Sequence, residues 1–167
     1  MELVKKIDIH VHTARVLGPA RCNGQNFALP DELCKMYDKI GVEKGVILPI
    51  VSYESSYTQS SNEDICEIVS RYPDRFAWFC NIEPRVTPNN ETADFEYLLR
   101  YYKARGARGV GEITANLSFD DKRVYALFAA CERVNMPVTF HIGHSDGDYG
   151  LIDDLGLPRL EKVLQTF

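Results

Sequence analysis

Apolar and polar positions change rhythm at regular intervals along this chain. Five short runs rich in β-branched and aromatic residues read as strands: 7–12 (IDIHVH), 45–51 (GVILPIV), 76–82 (FAWFCNI), 108–113 (RGVGEI) and 137–142 (PVTFHI). Each is followed by a stretch whose apolar residues recur every three or four positions. Leu33, Met36, Tyr37 and Ile40 share one helical face, with Pro30 near the start and Gly41 at the end, the expected asymmetry of helix termini. Ser61 precedes Asp64 by three positions, an acidic variant of the capping box, ahead of Ile65, Ile68 and Val69. The same spacing returns in Phe95, Leu98, Leu99 and Tyr102 (closed by Gly106), in Val124, Leu127, Phe128 and Cys131, and in Leu160, Val163, Leu164 and Phe167.

Strands that alternate with amphipathic helices predict an α/β fold with a parallel sheet and right-handed crossovers. The choice lies between an open doubly wound sheet and a (β/α)8 barrel of the TIM type. No GxGxxG follows the first strand, and GARGVGEI (106–113) straddles a strand instead of opening a helix, so a phosphate-binding loop has no support. A full barrel takes about 250 residues. The 167 residues are therefore expected to form one domain, 1–167, the N-terminal part of a barrel truncated to about five βα units. Such a piece has two unpaired sheet edges, an association hazard. The expectation is that the chain continues in a longer protein or pairs through its edges as a homo-oligomer.

Composition narrows the classes. Hydrophobic content of 45% and charged content of 26% are ordinary for a globular domain. A net charge of −5 argues against a nucleic-acid footprint, and Arg100, Lys103, Arg105 and Arg108 read as an exposed helix face and its exit. There is no apolar run of 18 residues and no signal-peptide core, so no membrane partner is expected. Five cysteines, an odd number without a CxxC pair, read as reduced thiols of a cytoplasmic protein.

The candidate chemistry sits at the strand ends. Strand alternation puts Ile7, Ile9 and Val11 on one face, toward helices, and Asp8, His10 and His12 on the other, toward the barrel interior. Two positions span about 6–7 Å of strand, so His10 and His12 can converge on one ion, with Asp8 behind them as an orienting partner. Neutral imidazole is a common ligand for zinc and similar ions, and a divalent metal, zinc foremost, is the expected cofactor. His141 ends the fifth strand and Glu112 the fourth, positions that face the same barrel mouth. An arginine partner would also satisfy Glu112, and a satisfied core position would also account for His141. His144, Asp146 and Asp148 decorate the loop HSDGDYG, readable as a solvated turn or as substrate contacts.

IDIHVHT at the first strand, GVGEITANLSFDD around the fourth, PVTFHIGH at the fifth and YGLIDDLGLPRLEKVL after it resemble the amidohydrolase superfamily of metal-dependent barrels. The likeness is to its amidohydrolase-related branch, which includes nonoxidative decarboxylases. It implies metal ligation by His10, His12 and His141, with Glu112 matching an acidic residue that related branches use. It also implies a strand-six histidine and a strand-eight aspartate that moves the proton, neither of which these 167 residues contain. The activity so implied is hydrolysis of a small-molecule substrate through a metal-activated water. Nonoxidative decarboxylation of a small carboxylic acid is the alternative on the same fold, with Arg15 or Arg21 pairing the carboxylate. A non-catalytic, metal-binding or self-associating barrel fragment is a third reading.

Overall fold

The computed structural model describes residues 4–54, 56–86, 88–144 and 147–167. Strand β1 (Lys6–Val11) is followed by helix α1 (Pro30–Ile40), β2 (Val42–Ile47), α2 (Asn62–Arg71), β3 (Phe76–Trp78), α3 (Phe95–Ala104), β4 (Val110–Ile113) and α4 (Lys122–Val134). Then come β5 (Val138–Phe140), two short strands β6 (Ile142–Gly143) and β7 (Leu151–Ile152), and α5 (Pro158–Thr166). Strands β1, β2 and β3 pair in that order and in parallel, as do β4 and β5. The two groups join where Cys80 donates to Gly109 O at 3.0 Å and Gly111 donates to Cys80 O at 2.7 Å. Spatial order thus follows chain order, as in a barrel wall, and β1 is terminal in it.

The helix ends follow from local chemistry. Ser61 Oγ accepts from the Asp64 amide at 3.0 Å and Asp64 returns a bond to the Ser61 amide, which closes the capping box ahead of α2. Gly41 takes a left-handed conformation (φ 77°) and ends α1, so β2 begins at once. That start is three residues ahead of the predicted one, because Glu43 and Lys44 interrupt the apolar run. The helices cover one side of the sheet, where Ile47, Trp78, Phe95, Leu99, Ile113 and Leu127 are essentially inaccessible to water. Burying such side chains contributes roughly 1.5–3 kcal/mol each.

Two expectations are corrected here. The loop after β5 is not merely a solvated turn: it folds back so that Gly150 donates to Thr114 O and Leu151 to His141 O, forming β6 and β7. Ile7 and Ile9 do not pack beneath helices; they are 65% and 74% exposed. All five cysteines are free, and burial pushes the Cys80 and Cys131 thiols up to about 12. Among the described residues no helix is long and apolar enough to cross a membrane.

Candidate metal centre

A β-bulge in each of two strands builds the site. In β1, Asp8 pairs with Gly45 and Val11 with Ile47, so three steps along β1 match two along β2. In β4, Val110 pairs with Val138 and Ile113 with Phe140, again three steps against two. Gly111 occupies the β4 bulge at φ 129°, where a Cβ would lie 2.1 Å from Thr139 O, so only glycine fits. Each extra residue re-aims the side chains that follow it. Glu112 leaves the bulge toward the interior, as do His10 and His12.

The β1 bulge also overturns the expectation that Asp8, His10 and His12 share a face. Asp8 lies on the helix side, where its Oδ2 accepts from the Tyr37 hydroxyl of α1 at 2.7 Å. Its Oδ1 accepts from the His10 amide at 3.0 Å. Asp8 therefore holds the backbone at His10 and not an imidazole.

Inside, the donor atoms converge. His10 Nε2 and His12 Nε2 are 3.2 Å apart, and each is 3.3 Å from Glu112 Oε2. This nearly equilateral triangle suits one divalent cation. Zinc–nitrogen and zinc–oxygen bonds of about 2.0–2.2 Å at tetrahedral angles separate neighbouring donors by roughly 3.3–3.6 Å. The three residues offer two imidazoles and a carboxylate, a donor set common to several divalent ions. His141 joins at one remove, its Nδ1 lying 3.0 Å from the other oxygen of Glu112. Its ring stacks on Tyr149, with centroids 4.1 Å apart.

Backbone groups hold the donor residues. His12 Nδ1 lies 2.9 Å from Leu48 O; donation there leaves Nε2 as the acceptor facing the triangle. Glu112 is only 7% exposed, and burial alone would raise its pKa. With the rings protonated and no ion between them, hydrogen bonds from His12 and His141 and the charge of His10 and His12 outweigh that and hold it at about 2. Buried Asn81 donates to Pro49 O at 3.0 Å and Glu112 O at 2.6 Å, and it exchanges two further bonds with Asn62. This clamp ties β2, β3 and β4 together beneath the site. Nothing local in the sequence marks either asparagine, since their partners are 19 to 32 residues away.

The donors line a cavity of about 240 Å³, walled by Phe27, Pro49, Ile50, Thr114 and Tyr149 and entered past Arg21. Arg21 stacks over Phe27 at 4.8 Å. Arg15, the other loop cation, is spent on Asp64 at 2.7 Å and does not line the cavity. His144 pairs with Asp148 at 3.0 Å on the surface, also outside the cavity. Asp146 lies outside the described residues.

No family model matches the chain, nor does any curated protein. Solved structures do. An uncharacterised TIM-barrel protein from Bordetella bronchiseptica matches with a TM-score of 0.63 at 20% identity, over 98% of this chain and 64% of that one. A probable 2-pyrone-4,6-dicarboxylic acid hydrolase from Acinetobacter baumannii, solved with citric acid bound, matches at 0.53 and 19%, over 83% and 49%. A 2,6-dihydroxybenzoate decarboxylase from Rhizobium matches at 0.53 and 16%, over 87% and 51%. The present chain thus spans about half to two thirds of the length of these structures. Its curved parallel wall, outer helices and strand order are those of a TIM barrel.

Proposed function

We propose that this chain carries the metal-binding half of an amidohydrolase-type site and serves metal-assisted hydrolysis of a small-molecule substrate. The observation that carries the reading is the triangle of His10, His12 and Glu112 at the floor of a cavity. A divalent ion bound there supplies Lewis acidity toward a substrate carbonyl and acidifies water at neutral pH. The chain's own residues do the rest of what can be assigned. Leu48 O fixes the tautomer of His12, Asn81 fixes the Glu112 backbone, and His141 braces the Glu112 carboxylate. Phe27, Ile50 and Tyr149 give the cavity an apolar wall beside the donors. The amidohydrolase resemblance assigns proton transfer to an aspartate that is not among these 167 residues.

A second reading, nonoxidative decarboxylation, rests on Arg21. Among the described residues it has no carboxylate partner, and it lies over the Phe27 ring at the cavity lining, a setting for a planar carboxylic acid. Two of the structural neighbours divide the same way, one named a hydrolase and one a decarboxylase.

Metal analysis of the purified protein tests the common basis of both. About one equivalent of divalent ion, lost in His10→Ala and His12→Ala, is expected. Protein that takes up no ion on incubation with zinc, manganese or cobalt would sink the proposal. Assays with lactones and with hydroxybenzoates then separate hydrolysis from carbon dioxide release.

A further inference from the structure

A strand that alternates regularly cannot place Asp8 beneath α1 and His10 in the cavity, because residues two apart share a face. Only the extra residue between Asp8 and Val11 reconciles the two. Three features surround that residue. Gly45, the partner of Asp8 on β2, leaves room for Tyr37: a Cβ there would fall 2.6 Å from the Tyr37 hydroxyl. That hydroxyl donates to Asp8 Oδ2. Asp8 Oδ1 in turn accepts from the His10 amide, closing a short loop over Ile9, which is left 74% exposed. Aspartate bonding to an amide two residues on is a local alternative to the ladder and is suited to stabilising a bulge.

We infer that Tyr37 and Asp8 are positioning residues for His10. The phenol on the outer helix anchors the carboxylate, the carboxylate holds the bulge, and the bulge turns the His10 imidazole into the cavity. One contact between the helix layer and the candidate metal centre thus passes through the sheet at β1, beside the one that Asn62 makes through Asn81. The inference rests on the proposal that His10 binds metal, but half of its test needs no ion.

In the metal-free protein, nuclear magnetic resonance reads the His10 and His12 rings, whose centroids are 5.1 Å apart. Tyr37→Phe is expected to weaken the Overhauser contact between them. It should also speed exchange of the His10 amide by about tenfold, as loss of support from one hydrogen bond to a carboxylate implies. The Ile47 and Trp78 amides should keep their rates. In the second half, cobalt affinity is expected to fall about 10–100-fold in Tyr37→Phe, the usual cost of losing an outer partner of a ligand. In an Asp8→Asn background the same change should cost under about twofold, because both residues act along one chain of contacts. Asp8→Asn, which preserves shape, should behave like Tyr37→Phe and covers the case in which the latter folds poorly. Unchanged His10 contacts and exchange, or equal affinity losses in both backgrounds, would overturn the inference. If the wild type binds no cobalt, the metal reading falls, while the ring contact and amide exchange still decide whether Tyr37 and Asp8 orient His10.

Discussion

His141 reaches the donor triangle only through Glu112: its Nδ1 lies 3.0 Å from Oε1, while Oε2 faces His10 and His12. We propose that in this arrangement Glu112 is a ligand and His141 its brace. His141→Ala is therefore expected to lower metal affinity by about 10–100-fold. Glu112→Gln should lower it by more, since it removes both the charge and the third donor. Titration of both variants with zinc against a chelator checks the order. If His141→Ala proves the costlier change, then His141 ligates directly.

Arg15 and Arg21 should separate cleanly. Arg15→Ala breaks an exposed, solvent-screened pair with Asp64 and should change neither stability nor ligand binding measurably. Arg21→Ala removes the cation at the cavity mouth. If the ligand carries a carboxylate, its affinity should fall by about 1.5–3 kcal/mol, the worth of a charge-assisted hydrogen bond. Calorimetry with a panel of small aromatic and aliphatic acids measures both.

Asp153 ties stability to acid. Its side chain is buried and accepts from the Leu160, Arg159 and Asp154 amides at the start of α5, with the Arg159 guanidinium nearby. Burial opposes ionisation, but those amides and then Arg159 hold its carboxyl below the usual aspartate range. A depressed folded-state pKa contributes stability that is present above the unfolded value, about 3.9, and is lost as pH falls through the folded value. Asp153→Ala should cost about 1–2 kcal/mol at pH 7, as for a lost helix cap. Urea unfolding should show that difference shrinking below about pH 4. A difference independent of pH would place the cost in packing instead.

The bare outer side of β1 predicts association. Val4, Ile7 and Ile9 are all strongly exposed beside unpaired strand backbone. We propose pairing with a second chain there. Sedimentation should show mass rising with concentration, and Ile7→Lys should return the protein toward monomer. A monomer at every concentration would remove the proposal.

Much of the wall was legible because periodicity reports which faces are buried: the five predicted strands and five helices lie within a few residues of where the hydrophobic rhythm puts them, while β6 and β7, two residues each, are too short to show one. The meeting of His10, His12, Glu112 and His141 was legible for a related reason, since each ends a strand of a barrel mouth. The bulges were not. An extra residue leaves the composition of β1 unchanged, so Asp8 read as a neighbour of the histidines when it faces the helices. Tyr37 fits a helix stripe as a core residue, and nothing in that stripe shows that its hydroxyl meets Asp8. Arg15 and Arg21 are equivalent in sequence, and only the path of the loop between β1 and α1 gives one to Asp64 and the other to the cavity.

Two of the three donors sit on the outermost strand of the wall. A chain that hydrogen-bonds along the free side of β1 would order the backbone that carries His10 and His12, and an ion between those rings would order the same backbone from within. Thermodynamic reciprocity then requires that edge pairing and ion uptake strengthen each other by one common factor. If β1 pairs with a second chain and an ion binds between the rings, assembly state and metal loading become a single coupled equilibrium.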